Sequence, residues 1–577
     1  MRAGADRLDT RGVKGVAVLG ALAVASMLAA GSAGSATRAV RGIAIGVYPS
    51  ATTVRASSPI PGQAADSIVL DAAAGEQLDS VIVVRGAGQV EVGDPTLQAP
   101  LALQLLFAHY VSFDATLVPD ALLPWDGSRR AAEQRNQPLW VRVTVPAGTA
   151  AGTYAGSLDV VADGVAKTVP ITVHVFPVSL PAPNDPNGSL LTAFHVAAQS
   201  YGNEVNRLYG VPGSTSVPEL YRFLAAYRVS PSSWGYGQPR AVSGYQSDRR
   251  WWMDDAGQMV SAVGDRAFAA MAIPISNNRT APSNYVAGLS PSQPETWCPY
   301  LQAVHGFWQS HGWLASYPYL YGEDEPGPAG FELVGRQATV VHRCFPGGHV
   351  IVTGNPSEEN RFLWNGGSDD VDDWVVLANR YYGKYTVPKL AREGRSNATY
   401  QLKLIDAARS RGKSIWAYTY PNTHTPGFTA TEPLSDGRMF FAWAALEDIR
   451  GVLYGEGTTT YAAHGNPLDS VARDGSFVLA YPGRSGPIAS ARLEQIRNGI
   501  EDWEIMRLVR QRHGAAAVRR ILGTLFSTTA SGVELGCTVG CQLKTATPFS
   551  WPAWSHDAST AAKLEQVESR ALAAASS

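Results

Sequence analysis

The rhythm of apolar and polar positions changes three times along the chain. Between Val16 and Ala30 the residues are apolar almost throughout; Arg2, Arg7, Arg11 and Lys14 precede them, and Gly34, Ser35 and Ala36 follow. That order predicts a secretory signal peptide over 1–36. A spanning helix is not predicted, because about 15 apolar residues fall short of the roughly 20 that cross a bilayer. From 37 to 183 the alternation is short and regular, in "SIVLDAA", "DSVIVVRG", "LQLLFAHYVSF", "LWVRVTVP" and "KTVPITVHVF", with Pro and Gly at the breaks. Period two with a turn about every ten residues predicts an antiparallel β-sandwich. The run "VSLPAPNDPNG", Val178–Gly188, reads as an inter-domain linker.

From 184 to 512 the pattern becomes apolar strands separated by amphipathic helices. The strands are "LLTAFHV", "FAAMAIPI", "SYPYLYGEDE", "HVIVTGN", "VDDWVVL", "SIWAYTY" and "GVLYGEG"; helices are predicted at Pro218–Arg228, Tyr300–His311, Phe331–Cys344, Tyr400–Arg411 and Gly437–Ile449. Such alternation implies parallel βαβ units, and the length suits a (β/α)₈ barrel with insertions, a doubly wound sheet being the alternative. The expected fold class is therefore α/β, a barrel preceded by a sandwich. Residues 513–577 are predicted to form a disulfide loop and an Ala-rich helix on the barrel exterior.

Composition narrows the function. The 577 residues are 45% hydrophobic and 17% charged, and 47 basic residues against 49 acidic ones give a net charge of −2. A basic surface for nucleic acid is thus not expected, nor, after signal cleavage, a membrane partner; a secreted protein is. Export permits disulfides, and of the three pairings open to four cysteines we expect Cys298–Cys344 and Cys537–Cys541. No Cys-x-x-Cys, His-Glu-x-x-His or Gly-x-Ser-x-Gly occurs, so neither a metal nor another cofactor is expected. The acidic run Asp369, Asp370, Asp372, Asp373 lacks EF-hand spacing and reads as a solvated loop at a strand entrance.

The informative motif is "YLYGEDEPGP", Tyr319–Pro328. Glu323, Asp324 and Glu325 end an aromatic strand, and Pro326 forbids the next ladder hydrogen bond. In a barrel that tip belongs to the face where reacting groups gather. Side chains alternate along a strand, so Asp324 and Glu325 meet one ligand only if the backbone turns between them. The competing reading is a helix cap, with the acids satisfying free N–H groups before "GPAGFELVG".

"GEDEP", then "VDDWV", "IWAYTYP", "RMFFAWAALEDIRGVLYGEG" and "YPGRSGPIASARLEQIRNGIEDWEIMRLV" follow the order of glycoside hydrolase family 123, and "PDALLP", "LWVRVTVPAGTAAGTYAGSLDV" and "FPVSLP" resemble that family's sandwich. The resemblance spans nearly the whole mature chain, except about the last 60 residues. It implies a retaining exo-β-N-acetylgalactosaminidase in which the substrate's 2-acetamido group is the nucleophile. The family's acid pair maps onto Asp324, to orient the acetamido group, and Glu325, to serve as acid and base. Trp374, Trp416, Tyr418 and Tyr321 are then candidate sugar-pocket residues, and Asp372 a candidate for a sugar hydroxyl. In "SARLEQIRNGIEDWEIM", Leu493, Ile496, Ile500, Trp503 and Met506 recur at helical spacing, which predicts an amphipathic helix on the barrel. Arg497 and Glu501 are expected to pair on its surface, and Arg492 to lie within reach of the catalytic face.

Gly455 and Glu456 stand where the family usually carries a Trp. Two alternatives therefore stay open: a glycosidase for a sugar without an acetamido group, with Glu323 or Glu456 as second carboxylate, and a non-catalytic glycan-binding protein. The expected partner is in each case a carbohydrate.

Overall fold

The computed structural model describes residues 42–127, 129–232, 259–260, 262–264, 268–275, 292–378, 381, 397–419, 426–455, 458–461, 465–471, 474–528, 552–554 and 559–577. The predicted signal peptide, Cys537, Cys541 and Glu456 lie outside them. Residues Ile43–Ser577 form one compact unit.

The period-two runs become two facing sheets. One contains β1 (Ala44–Pro49), β3 (Gln77–Arg85), β6 (Ala102–Phe113), β7 (Thr116–Pro124) and β9 (Asn136–Thr144). The other contains β2 (Ile68–Ala74), β4 (Gln89–Val92), β5 (Thr96–Leu97), β8 (Arg129–Ala131), β10 (Gly152–Ala162) and β11 (Val165–Ser179). Among these strands pairing is antiparallel except for β2 with β11, and Ser470–Val471 adds a short parallel strand beside β6. Alternate residues such as Ile82, Val84, Val141, Val143, Val160, Val169 and Ile171 fill the space between the sheets.

The apolar runs beyond 188 become β12 (Leu191–Phe194), β13 (Ala270–Ala272), β14 (Tyr317–Glu323), β15 (His349–Thr353), β16 (Asp373–Leu377), β17 (Ser414–Tyr418) and β18 (Gly451–Tyr454). They form one parallel sheet in the order β12-β18-β17-β16-β15-β14-β13, so the first strand returns to the last. The sheet is nearly closed and barrel-like. Between its ends, Pro231 bridges Phe194 in parallel and Ser230 Oγ accepts from Ala270 N. Helices α1 (Ala198–Tyr209), α2 (Gly213–Ala226), α3 (Cys298–Ser310), α4 (Pro328–Cys344), α5 (Asn397–Arg409) and α6 (Asp436–Leu446) lie between successive strands, except that a 3-10 turn, Arg361–Trp364, stands between β15 and β16. Cys298 and Cys344 form the expected disulfide, joining α3 to the end of α4.

The expected linker is packed: Val178 and Leu180 are buried in the main core. The helix α7 (Ala491–Leu522), broken at Gly514, does place Leu493, Ile496, Ile500, Trp503 and Met506 in that core. Its polar residues, however, are buried as well. Arg497 is 0% exposed and Glu501 3%: they pair as expected, at 3.7 Å, but in the interior and not on the surface. The reason is the sandwich on the far side of α7. Arg497 binds Asp79 of β3 and Glu494, each at 2.6 Å; Arg228 binds Glu501 at 3.1 Å and Glu504 at 3.0 Å. Arg438 of α6 binds Asp502 at 2.8 Å, and also Glu568 of α8 (Thr560–Ser576). Arg492 holds Asp120 of β7 through two nitrogens, at 3.0 and 2.8 Å, and the carbonyls of Phe428, Gly475 and Val478. It joins the two layers and is fully used there, so its expected reach toward the catalytic face is not realised.

Candidate active site

β14 carries the acids to the C-terminal rim of the parallel sheet. Its pairing with β15 slips there: Tyr321 faces Ile351, yet Glu323, two residues on, faces Val352. This β-bulge at Gly322 puts one extra residue in β14 and reverses the alternation. Gly322 suits it because an added Cβ would stand 2.4 Å from Gln337 Oε1. Glu323 is consequently turned outward, 0% exposed, and accepts from Gln337 Nε2 of α4 at 3.1 Å. It does not face the rim, which removes it as a second carboxylate.

Asp324 and Glu325 are exposed. Asp324 Oδ1 accepts from Tyr321 Oη at 2.7 Å and from Thr353 Oγ1 at 3.1 Å. Glu325 has a left-handed backbone, φ 41°, and its N–H donates to Thr353 Oγ1 at 2.5 Å. The required turn between the two acids is therefore present. The Glu325 side chain accepts a hydrogen bond from Tyr418 Oη, which arrives from the tip of β17. Among the described residues no Arg, Lys or His forms an ion pair with Asp324 or Glu325. Burial, and next the neighbouring Asp324 charge, push the Tyr321 phenol well above its ordinary value, so it stays a hydrogen-bond donor. The helix-cap alternative fails, since α4 begins only at Pro328 and no side chain caps it.

Tyr418 and Tyr321 thus stand with the acids, Tyr321 as a support of Asp324. Three expected pocket residues do not. Trp416 is 0% exposed inside the barrel, 5.8 Å from the Tyr319 ring, and its indole lies so close to Gly451 that an added Cβ there would meet it at 2.2 Å. Trp374 is 1% exposed and lies on the opposite face of β16 from Asp373. Both are core: large apolar rings fill the space between strands and helices, and sequence alone does not separate that use from a sugar platform. Asp372 precedes β16, so it sits at the opposite end of the sheet from the rim. There its Oδ2 accepts from Val350 N at 2.7 Å and pairs with His342 Nε2 at 2.8 Å. The solvated-loop reading of the acidic run is corrected too, since Asp370 is 3% and Asp373 0% exposed. Asp373, whose Oδ2 accepts from Tyr317 Oη at 2.8 Å, is pushed up to about 7 by burial.

Sequence reasoning passed over Thr353 and His195. Thr353 is the one hydroxyl in "HVIVT", and His195 directly follows β12, so both stand at strand tips, the positional signal that singled out the acids. Burial pushes the His195 imidazole below its ordinary value and keeps it neutral.

Two profiles of one family match the chain: "Glycoside hydrolase 123, catalytic domain" over residues 263–509 and "Glycoside hydrolase 123 N-terminal domain" over 107–162. Together they span more than half of it. Among solved structures, a family 123 glycoside hydrolase from Clostridium perfringens, studied for glycolipid glycan hydrolysis, is similar with a TM-score of 0.61 at 12% identity. The similarity covers 91% of this chain and 97% of that one, and shows the fold. A putative alpha-galactosidase from Bacteroides fragilis is far less similar, with a TM-score of 0.28, 8% identity and coverage of 79% and 78%. No curated protein matches the chain.

Proposed function

The chain belongs to glycoside hydrolase family 123 and is a glycosidase, and from that premise we propose that it is a secreted, retaining exo-β-N-acetylgalactosaminidase that uses the substrate's own acetamido group. One observation carries the reading. Asp324 and Glu325 lie side by side at a strand tip, held, among the described residues, by hydroxyls and not by cations, so both carboxyls keep oxygens for a ligand.

In this reading the acetamido oxygen attacks the anomeric carbon as the glycosidic bond breaks, and Glu325 gives its proton to the leaving oxygen. Asp324 accepts from the acetamido N–H and stabilises the positive charge of the oxazolinium ion. Glu325, now ionised, removes a proton from water as that water opens the ring and restores the β-configuration. Tyr418 Oη donates to one Glu325 oxygen in either protonation state, leaving the other for the proton in transit. We further assign Ser230–Ser232 as the eighth position of a (β/α)₈ barrel, supported by the bridge of Pro231 to Phe194. Export is supported by the basic, apolar and small segments of 1–36.

A nitrophenyl glycoside panel tests the activity, with a glycolipid glycan as the natural-type substrate. Release from the β-N-acetylgalactosaminide but not from the β-galactoside is expected, with β-configured product seen first by NMR. Turnover of the plain galactoside alone would overturn the acetamido mechanism.

A further inference from the structure

Thr353 is the polar exception in a strand of Val350, Ile351 and Val352, and it is 2% exposed. A Val of the same shape would satisfy a buried β-strand equally well, so the hydroxyl is not explained by the fold. Its oxygen lies 3.1 Å from Asp324 Oδ1, 2.5 Å from Glu325 N and 3.2 Å from Tyr321 Oη. Counting protons resolves the cluster. A threonine hydroxyl has one hydrogen and so does a phenol. The shorter contact of Tyr321 is with Asp324, at 2.7 Å, so its proton is used there. Thr353 is the acceptor toward the Glu325 N–H, and its own proton also points to Asp324. Asp324 Oδ1 therefore takes two hydroxyl donors, an arrangement that only an ionised or acceptor-facing carboxylate oxygen satisfies. Oδ2 makes no bond to any described residue.

The same oxygen acts on Glu325 through its backbone. A non-glycine residue at φ 41° occupies the disfavoured left-handed region. The N–H of Glu325 bonded to a buried acceptor offsets that cost and fixes the direction in which the side chain leaves the strand.

Resting on the proposed function, we infer that Thr353 is a positioning residue that couples the two acids: through Asp324 Oδ1 it fixes one carboxyl with Oδ2 toward the acetamido N–H, and through the Glu325 N–H it aims the acid toward the leaving oxygen. Neither Asp324 nor Glu325 is oriented by an ion pair among the described residues, so this hydroxyl and the two tyrosines supply the geometry.

The test compares Thr353→Val, Thr353→Ser, Asp324→Asn and Glu325→Gln in the full chain, using nitrophenyl β-N-acetylgalactosaminide, with thermal unfolding in parallel. Losing a hydrogen bond to a charged group corresponds to about a 10–100-fold change. Thr353→Val is expected to lose that factor mainly in kcat, with little change in KM. Thr353→Ser, which keeps the hydroxyl, is expected to restore kcat. A thermal midpoint close to wild type in the Val variant excludes simple misfolding. Wild-type kcat in Thr353→Val, or equal damage in Thr353→Ser, would overturn the inference. If Asp324→Asn and Glu325→Gln impair turnover while Thr353→Val does not change it, the coupling alone is wrong; if those two variants keep full activity on every glycoside, the reading of the acids falls first and the coupling with it.

Discussion

Two segments of this chain are dense in acids, "GEDEP" at the tip of β14 and "LEQIRNGIEDWEIM" along α7, and they treat those acids in opposite ways. On α7, Glu494, Glu501, Asp502 and Glu504 are buried and each faces a guanidinium, from Arg497, Arg228 or Arg438. At the tip, Asp324 and Glu325 are exposed, and among the described residues their carboxyls receive only hydroxyl hydrogens. The chemical setting separates their uses. A carboxylate saturated by a buried cation has no oxygen left for a ligand, and its removal leaves an uncompensated charge. A carboxylate held by neutral donors keeps its direction without surrendering its charge. Acids in the first setting join the sandwich, the barrel and α8; acids in the second can meet a sugar.

The sharpest way to break this contrast is to remove a cation from α7. Arg497→Met takes one guanidinium from Asp79 and Glu494, leaving Arg142 as their remaining cation in a dry junction, and is expected to cost about 3 kcal/mol of stability by denaturant unfolding. The folded fraction should keep wild-type kcat. Unchanged stability would show that the network does not hold the layers together.

A smaller effect concerns protons. Burial pushes Glu504 and Asp373 up to about 7 from ordinary values of 4.5 and 3.8. A folded state that holds protons the unfolded chain has released is favoured at low pH. This stabilisation is complete below the unfolded values, is lost as pH rises from about 4 through 7, and is flat beyond. The thermal midpoint should accordingly fall between pH 5 and pH 8, and less steeply in Glu504→Gln. A midpoint that climbs over this range would contradict the assignment of these groups as buried proton holders.

Much of this was legible in the residues. Period two followed by strand–helix alternation located both sheets, because each layer must bury one face, and it located the acid tip because Pro326 and Gly327 stop β14. The bulge was not legible. Nothing in "YLYGEDE" distinguishes a regular strand from one slipped at Gly322, and that slip decides that Asp324, not Glu323, faces the rim. Arg497 and Glu501 stood at ordinary surface spacing; only the sandwich arriving from 300 or more residues earlier buries them. Trp374, Trp416 and Asp372 failed for a related reason. Which face a side chain takes, and at which end of a strand it lies, depends on register to within one residue.

The most direct test of the central claim is the leaving-group dependence of Glu325→Gln beside Asp324→Asn. An acid is needed only when the departing oxygen is basic. Glu325→Gln is therefore expected to lose about 10²–10⁴ of kcat on an alkyl or sugar aglycone, and far less on a dinitrophenyl one. Asp324→Asn is expected to lose activity on both. Equal loss across all leaving groups in Glu325→Gln, or unchanged turnover of the activated substrate in Asp324→Asn, would contradict the account.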